Sequence, residues 1–408
     1  MLRSASVSAS PPTDHAPRPD RAFALLLGLH GLALLVVFPL GPQEARLWHP
    51  GVTGVAALAA AFPLSAVLGG LLARRAPRLP SSPRALSLLG LVATLPCAFT
   101  HDYPSLVAAR VVAGLATGLS YAAIHRVLPH SASPVVSRLA PRLVAFGMPV
   151  CLLASTALDW RFGFLPLILG HLAVLALSPR SPGPGFSAPL PLDEPSPWSL
   201  AATAALAFVT AAYLTILSGF LVFNAGHTEF HIPVVLLSTA LLGLAAPPVV
   251  GRLRARAGPI AFYLGTLAAS VLALSGLLAL RAPIPAPLAV ALIAVFLVVN
   301  STRHLALAGI VSPHLPATHS AAHQLHTQLA QHLGFGLGAL TAGQLVLLTP
   351  AHTLAGMPAL LGASLLATGL ALLAGLAAHR AAPTAPPAQA NSIPAPAKIE
   401  SNLTRAPS

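Results

Sequence analysis

Residues 51–78 read GVTGVAALAAAFPLSAVLGGLLARRAPR, and this stretch decides the fold. Twenty-three residues pass without a charge before Arg74, Arg75 and Arg78 arrive together. A helix rises about 1.5 Å per residue and a bilayer's hydrocarbon core is roughly 30 Å thick, so about 20 apolar residues cross it. The stretch is a membrane span that ends in a basic break. The same pattern fills the 408 residues, of which 55% are hydrophobic and 8% charged, with a mean hydropathy of +0.79. A soluble domain carries roughly a quarter charged residues, so this chain has too little polar surface for water. Twelve spans are predicted, near 22–41, 51–73, 84–100, 104–125, 141–159, 162–178, 198–223, 232–250, 260–280, 285–309, 320–348 and 353–378. Their unbroken apolarity predicts helices; a barrel would alternate in short segments.

A net charge of +13 would suggest nucleic acid in a soluble protein, but its placement follows the bilayer. Cytoplasmic segments of membrane proteins hold an excess of Arg and Lys. With the N-terminus inside, the inner segments carry seventeen basic residues, among them Arg74, Arg75, Arg78, Arg126, Arg252, Arg254 and Arg256. The outer segments carry three, Arg46, Arg161 and Arg281. This predicts both termini in the cytoplasm and no nucleic-acid surface. The arginine-heavy, lysine-poor, alanine-rich composition fits a bacterium with a GC-rich genome, hence the cytoplasmic (inner) membrane. Cys97 and Cys151 fall within spans and read as small packing residues.

The organisation is a pair of halves. Residues 1–21 and 379–408 are polar or Pro-rich and read as disordered cytoplasmic tails. No short apolar region with a cleavage site precedes the first span, so no removable signal peptide is expected. A cytoplasmic linker at 179–197, with seven prolines, divides a six-helix bundle at 22–178 from another at 198–378. Across that linker the sequence weakly repeats. Gly70-Leu-Leu-Ala-Arg-Arg-Ala-Pro-Arg78 follows the second span, and Gly251-Arg-Leu-Arg-Ala-Arg-Ala-Gly258 follows the eighth. Paired repeats of this kind mark transporters whose site lies between the halves at mid-membrane.

At these residues the chain resembles the major facilitator superfamily, over essentially 22–378. Gly70, Leu72, Arg75 and Arg78 match the loop signature Gly-x-Leu-x-Asp-Arg-x-Gly-Arg, and Gly251, Leu253, Arg256 and Gly258 match it again. Arg110-x-x-x-Gly114-x-x-x-Gly118 is similar to the family's fourth-helix pattern. Trp160-Arg161 with Phe164 resembles its Trp-Arg-x-x-Phe, and Gly334, Gly336, Gly338 and Gly343 give the usual glycine spacing of an eleventh helix. The resemblance implies an all-α membrane protein of twelve helices in two bundles, a monomer that moves a small molecule with protons. It implies an inner gate at Gly70, Arg74, Arg75, Arg78, Gly251, Arg252, Arg256 and Gly258. The chain departs from the pattern at the gate acid, which becomes Arg74 in one half and Ala255 in the other. The antiporter motif of the fifth helix is reduced to Gly147-Met-Pro149.

Polar groups inside a membrane are costly and tend to line cavities or pair. Arg110 lies about two turns into the fourth span, with snorkelling to the interface as its other reading. The nine acids all fall in tails, loops or span ends, which weakens carboxylate-based coupling and binding of multiply charged cations. Histidine is then the residue left to titrate between about pH 5 and 8, and His30 lies midway along the first span, with His171 in the sixth. In the tenth span Asn300, Arg303 and His304 share a face at i, i+3 and i+4. In the eleventh, Gln324 and Gln328 read as hydrogen-bonders for a polar substrate. His319, His323 and His326 share a face, but no cysteine or acid completes a ligand set, so no metal or other cofactor is expected. A nucleotide-binding Gly-rich loop and a nucleophile triad are both absent from the sequence, so neither ATP-driven transport nor an enzyme is expected.

The sequence thus reads as a secondary transporter of a small organic solute across the bilayer, with proton-coupled efflux as the leading direction. An importer or facilitator of a neutral or anionic nutrient, and a non-transporting sensor or assembly protein on the same fold, are the alternatives.

Overall fold

The computed structural model describes residues 19–75, 82–127, 134–178, 196–219, 228–279, 285–311 and 320–348, and within 362–380 chiefly Thr368–Ala377. Every element among them is helical: α1 (Pro19–Leu35), α2 (Val37–Trp48), α3 (Gly51–Arg75), α4 (Pro83–Phe99), α5 (Tyr103–Val127), α6 (Pro134–Ala157), α7 (Leu165–Leu177), α8 (Pro197–Gly219), α9 (His231–Ala245), α10 (Pro247–Ala257), α11 (Pro259–Ala279), α12 (Ala286–Val311), α13 (Ser320–Leu348) and α14 (Thr368–Ala377). A 3-10 turn at Trp160–Phe164 leads into α7.

Each predicted span meets described helix, though not always as one piece. Five helices are long and apolar enough to cross a membrane, and α9 with α10 forms a bent pair that meets the same test jointly. The others contribute shorter apolar stretches, among them Pro259–Ala273 in α11 and Pro287–Asn300 in α12, or in α13 a long helix diluted by histidine and glutamine. The first span breaks at Val36 and continues to Trp48, beyond its predicted end at 41. The proline at position 39 explains the break, because it has no N–H to donate to the Leu35 carbonyl. Pro166 sits in the first turn of α7, where a missing N–H costs nothing. Pro63 and Pro149 do lie inside their helices.

The helix ends follow local chemistry. The Asp102 carboxylate accepts from the Ser105 N–H at 2.8 Å and caps α5, which holds that acid below the usual carboxylate range. Asp159 caps the 3-10 turn by accepting from the Arg161 N–H at 3.0 Å. Gly258 ends α10 at φ +76°, a conformation that favours glycine. Trp160 packs edge-on against Trp48 at 4.9 Å and near Phe164 at 6.3 Å. These rings form an aromatic end to the helices, opposite the basic end that carries Arg74 and Arg126.

Helix pairing is organised by glycine. The broadest contacts join α5 to α3, α3 to α13, and α13 to α8. Gly114 and Gly118 of α5 lie against the carbonyls of Phe62 and Ala66 in α3, while Gly334 and Gly338 of α13 lie against the carbonyls of Ala204 and Phe208 in α8. A side chain at any of the four would run into backbone. Lipid tails are as apolar as the helix faces, so close backbone packing, not hydrophobicity, drives these pairings. Between the two pairs, α3 and α13 interlock: a Cβ at Gly70 would meet Leu329 at 2.5 Å, and one at Gly336 would meet Leu64 at 2.5 Å. The contacts α6 with α9 and α2 with α8 also bring the first seven helices against the remainder.

Gly118→Val is expected to push α5 off α3, at a cost on the order of 1–3 kcal/mol for overpacking. The check is thermal unfolding in detergent, where Gly118→Val lowers the midpoint and Gly265→Ala, with nothing within 4 Å, does not.

Candidate functional site

The break in the first span creates the first polar site. Helix ends leave carbonyls without an intrahelical partner. Leu32 O accepts from the Val36 N–H at 2.9 Å, and the Ala33 carbonyl accepts from Arg110 Nη1 at 2.8 Å. The guanidinium lies over the Phe62 ring, 4.4 Å from its centroid, a cation–π geometry. Arg110 is 1% exposed, so it does not snorkel. The arginine of the fourth-helix pattern instead ties α5 to the broken first span and to α3.

A second feature extends from there as a string of imidazoles. The His30 ring lies 6.1 Å from His171 and 5.4 Å from Tyr121, and Tyr121 lies 5.2 Å from His332. Thr117 Oγ1 is 3.4 Å from His30 Nδ1. The Ser87 hydroxyl donates to the His171 carbonyl at 2.7 Å and so fixes α4 against α7. Further along, His332 Nδ1 and the Gln328 carbonyl stand 2.8 Å apart, and Gln328 Oε1 is 3.2 Å from His125 Nε2. His30, His125, His171 and His332 are all buried. The string therefore runs from α1 and α7 through α5 to α13.

The sequence offered His30, His171 and Gln328, but His332, His125 and Tyr121 were not among its candidates. A signal existed. Thr117, Tyr121 and His125 form an i, i+4, i+8 stripe on α5, and Gln328 and His332 are an i, i+4 pair on α13. Attention to charge alone passes over such neutral stripes.

The basic end shows how the helices meet without the missing acid. Ala73, Tyr121, Ala122, Leu325 and Leu329 form one buried apolar cluster joining α3, α5 and α13. Beside it lie the His125–Gln328 contact and a bond from Arg126 Nη2 to the Ala73 carbonyl at 2.9 Å. Of the residues expected to form a gate, Gly70 is buried against Leu329. Arg74 is exposed at the end of α3, and Gly251, Arg252 and Arg256 are exposed on α10. Gly258 serves as the end of that helix. The Arg75 side chain and Arg78 lie outside the described residues.

In the second half, Asn300 and Arg303 are each 2% exposed. Asn300 Nδ2 donates to Thr210 Oγ1 at 2.7 Å, linking α12 to α8. Arg303 donates through Nη2 to the Thr266 carbonyl at 3.2 Å and to Ser270 Oγ, and through Nη1 to Thr368 Oγ1 at 3.4 Å. It thereby holds α11, α12 and α14 together beside a small cavity whose walls include Tyr213, Phe296 and Ser270. The His304 side chain lies outside the described residues, and Gln324 is exposed at the start of α13. The two buried arginines sit on α5 and α12, the fourth and tenth spans, but at different depths. Among the described residues no cluster of His, Cys, Asp or Glu is arranged to hold a metal.

No protein-family profile matches the sequence, and no curated protein does. Solved structures do match over nearly the whole chain. A D-xylose–proton symporter superposes with a TM-score of 0.63 at 15% identity, covering 89% of this chain and 97% of its own. A nucleoside transporter gives 0.57 at 12% identity, covering 88% and 99%. A bacterial homologue of the human lysosomal transporter Spinster, inward-facing and occupied, gives 0.56 at 15%, covering 90% and 96%. The protein is an all-α membrane protein with the fold of these transporters, the major facilitator fold that its motifs resemble.

Removing the Gln328 acceptor is expected to loosen the basic end. A hydrogen bond is worth about 1 kcal/mol, roughly a fivefold change in opening. In a Cys97→Ala, Cys151→Ala background, Gln328→Ala should raise maleimide labelling of a cysteine introduced by Ala122→Cys by about that factor. Unchanged labelling would mean the contact does not hold this end closed.

Proposed function

We propose that the protein is a secondary transporter that moves a small organic solute across the cytoplasmic membrane by alternating access. Two six-helix bundles, 22–178 and 198–378, rock about the α3–α13 seam, with both termini in the cytoplasm. Protons drive the movement, export is the working direction, and the unit is a monomer. The fold supports transport, because structures of solute carriers share it across nearly the full chain.

The observation that carries the coupling is the string His171–His30–Tyr121–His332, which crosses from the first-half helices to α13. Imidazole is the side chain that ordinarily changes charge between about pH 5 and 8. A titrating group at a moving boundary meets water from alternate sides as the boundary opens and closes. His30 Nε2 and His332 Nε2 are buried and have no partner among the described residues. Rocking would separate Tyr121 from His332 and change what each imidazole meets. Arg110 would position the solute or tune the string from the broken first span, and Asn300, Arg303 and Gln328 would contribute from the second half. His304 and Gln324 remain candidates on the same helices. Gly70 and Leu329, with His125 and Gln328, would serve as the inner gate in place of an acid–arginine latch.

The test is accumulation of dyes, antibiotics and sugars in a transport-deficient bacterial host, at matched membrane expression and with or without a protonophore. Wild type is expected to lower accumulation of at least one compound, and the protonophore to abolish the effect. His332→Ala and Arg110→Ala are each expected to reduce that proton-driven component at least about tenfold, the scale of a 1.4 kcal/mol change. Raised accumulation instead of lowered would reverse the direction, and insensitivity to both the protonophore and His332→Ala would remove proton coupling.

A further inference from the structure

Arg303 is a buried cation whose every described partner is neutral. Its guanidinium meets the Thr266 carbonyl and the hydroxyls of Ser270 and Thr368, and its Nε has no partner among the described residues. The nine acids of the chain lie in tails, loops or span ends, far along the sequence from this point in α12. A buried cation without a counter-charge is strongly disfavoured in a membrane.

The hydroxyls add a second, independent constraint. Ser270 Oγ and Thr368 Oγ1 accept from Arg303, so each has its own hydrogen left to donate, and neither donates elsewhere among the described residues. Both residues line the cavity beside Arg303. Its polar wall is therefore made of donors: N–H from a guanidinium and two O–H groups. The rest of the lining is mainly apolar and aromatic, with Val209 and an edge-on pair, Tyr213 and Phe296, at 4.6 Å. Donors without a carboxylate repel cations, the uncompensated charge of Arg303 favours an anion over a neutral acceptor, and the narrow space suits one small group.

We infer that this cavity binds a small monovalent anionic group, either an inorganic anion of chloride size or the carboxylate head of the transported solute. The second source rests on the transport reading above; the anion site does not. A carboxylate head would accept from Arg303, Ser270 and Thr368, and the rest of the solute would extend out of this narrow cavity. The bound anion would supply the counter-charge that the chain itself withholds from α12. Arg303 in this role is a binding residue, and its bonds to α11 and α14 are what hold the guanidinium in place.

The experiment is thermal unfolding of the purified full chain in detergent, in halide-free HEPES buffer, titrated separately with chloride, benzoate and the neutral isostere benzamide. Wild type is expected to be stabilised saturably by chloride or benzoate and not by benzamide. Arg303→Gln, and Val209→Phe, which fills the cavity while leaving the arginine, should each raise the half-saturating concentration at least about tenfold. Arg254→Gln, an exposed arginine on α10, should leave it unchanged. Saturation by chloride with no response to benzoate identifies an inorganic anion; saturation by benzoate identifies a carboxylate head. Equal responses to benzoate and benzamide with chloride inert would overturn the site, as would a wild-type response in Val209→Phe. Binding here needs neither flux nor a proton gradient. Proton-driven flux with no anion binding would therefore reject the site alone, and anion binding without flux would reject the transport reading alone.

Discussion

Backbone-to-backbone approach at four glycines sets the architecture. In a bilayer the apolar faces of two helices gain little by leaving lipid, so association depends on how closely their axes can come. Gly114 and Gly118 let α5 settle on the carbonyls of α3, and Gly334 and Gly338 let α13 settle on those of α8. The seam between α3 and α13 then joins two tight pairs through larger, more yielding contacts, leucine against glycine. The within-pair contacts meet rigid backbone and the between-pair contacts meet flexible side-chain ends. That difference suits bundles that stay intact while the seam between them moves.

The same close packing gives the polar groups their environment. Arg110 reaches the Ala33 carbonyl because Pro39 interrupts the first span and α5 lies close against α3. His30 and Tyr121 meet because α1 and α5 are held within ring contact. Arg110, Asn300 and Arg303 are here matched to backbone or hydroxyl groups released by a helix break or a helix crossing. Carboxylates have no part in this among the described residues, and that absence makes imidazole and guanidinium the chemistry of the interior.

The basic end illustrates a substitution of one physical device for another. Facilitator-like sequences carry an acid in the loop after the second helix, and this chain has Arg74 there. Among the described residues the contacts at this end are an apolar cluster, a His–Gln contact and an arginine bound to a backbone carbonyl.

Much of this was legible in the sequence, and for identifiable reasons. Span positions follow from a length set by bilayer thickness, so twelve apolar runs could be placed without knowing any contact. Gly114, Gly118, Gly334 and Gly338 stood out through the family patterns they resemble. Arg110, Arg303, Asn300 and His30 stood out because charge or polarity inside an apolar run has few explanations. The length of the first span did not follow, because its apolar run thins out near residue 41 while the helix continues to Trp48. Nor did the pairing of His332 with Tyr121, or of Gln328 with His125, because each joins residues some two hundred positions apart across the repeat. Sequence periodicity shows which residues share a face of one helix. Which faces of two helices meet is decided by packing among all of them, and only the tertiary structure holds that.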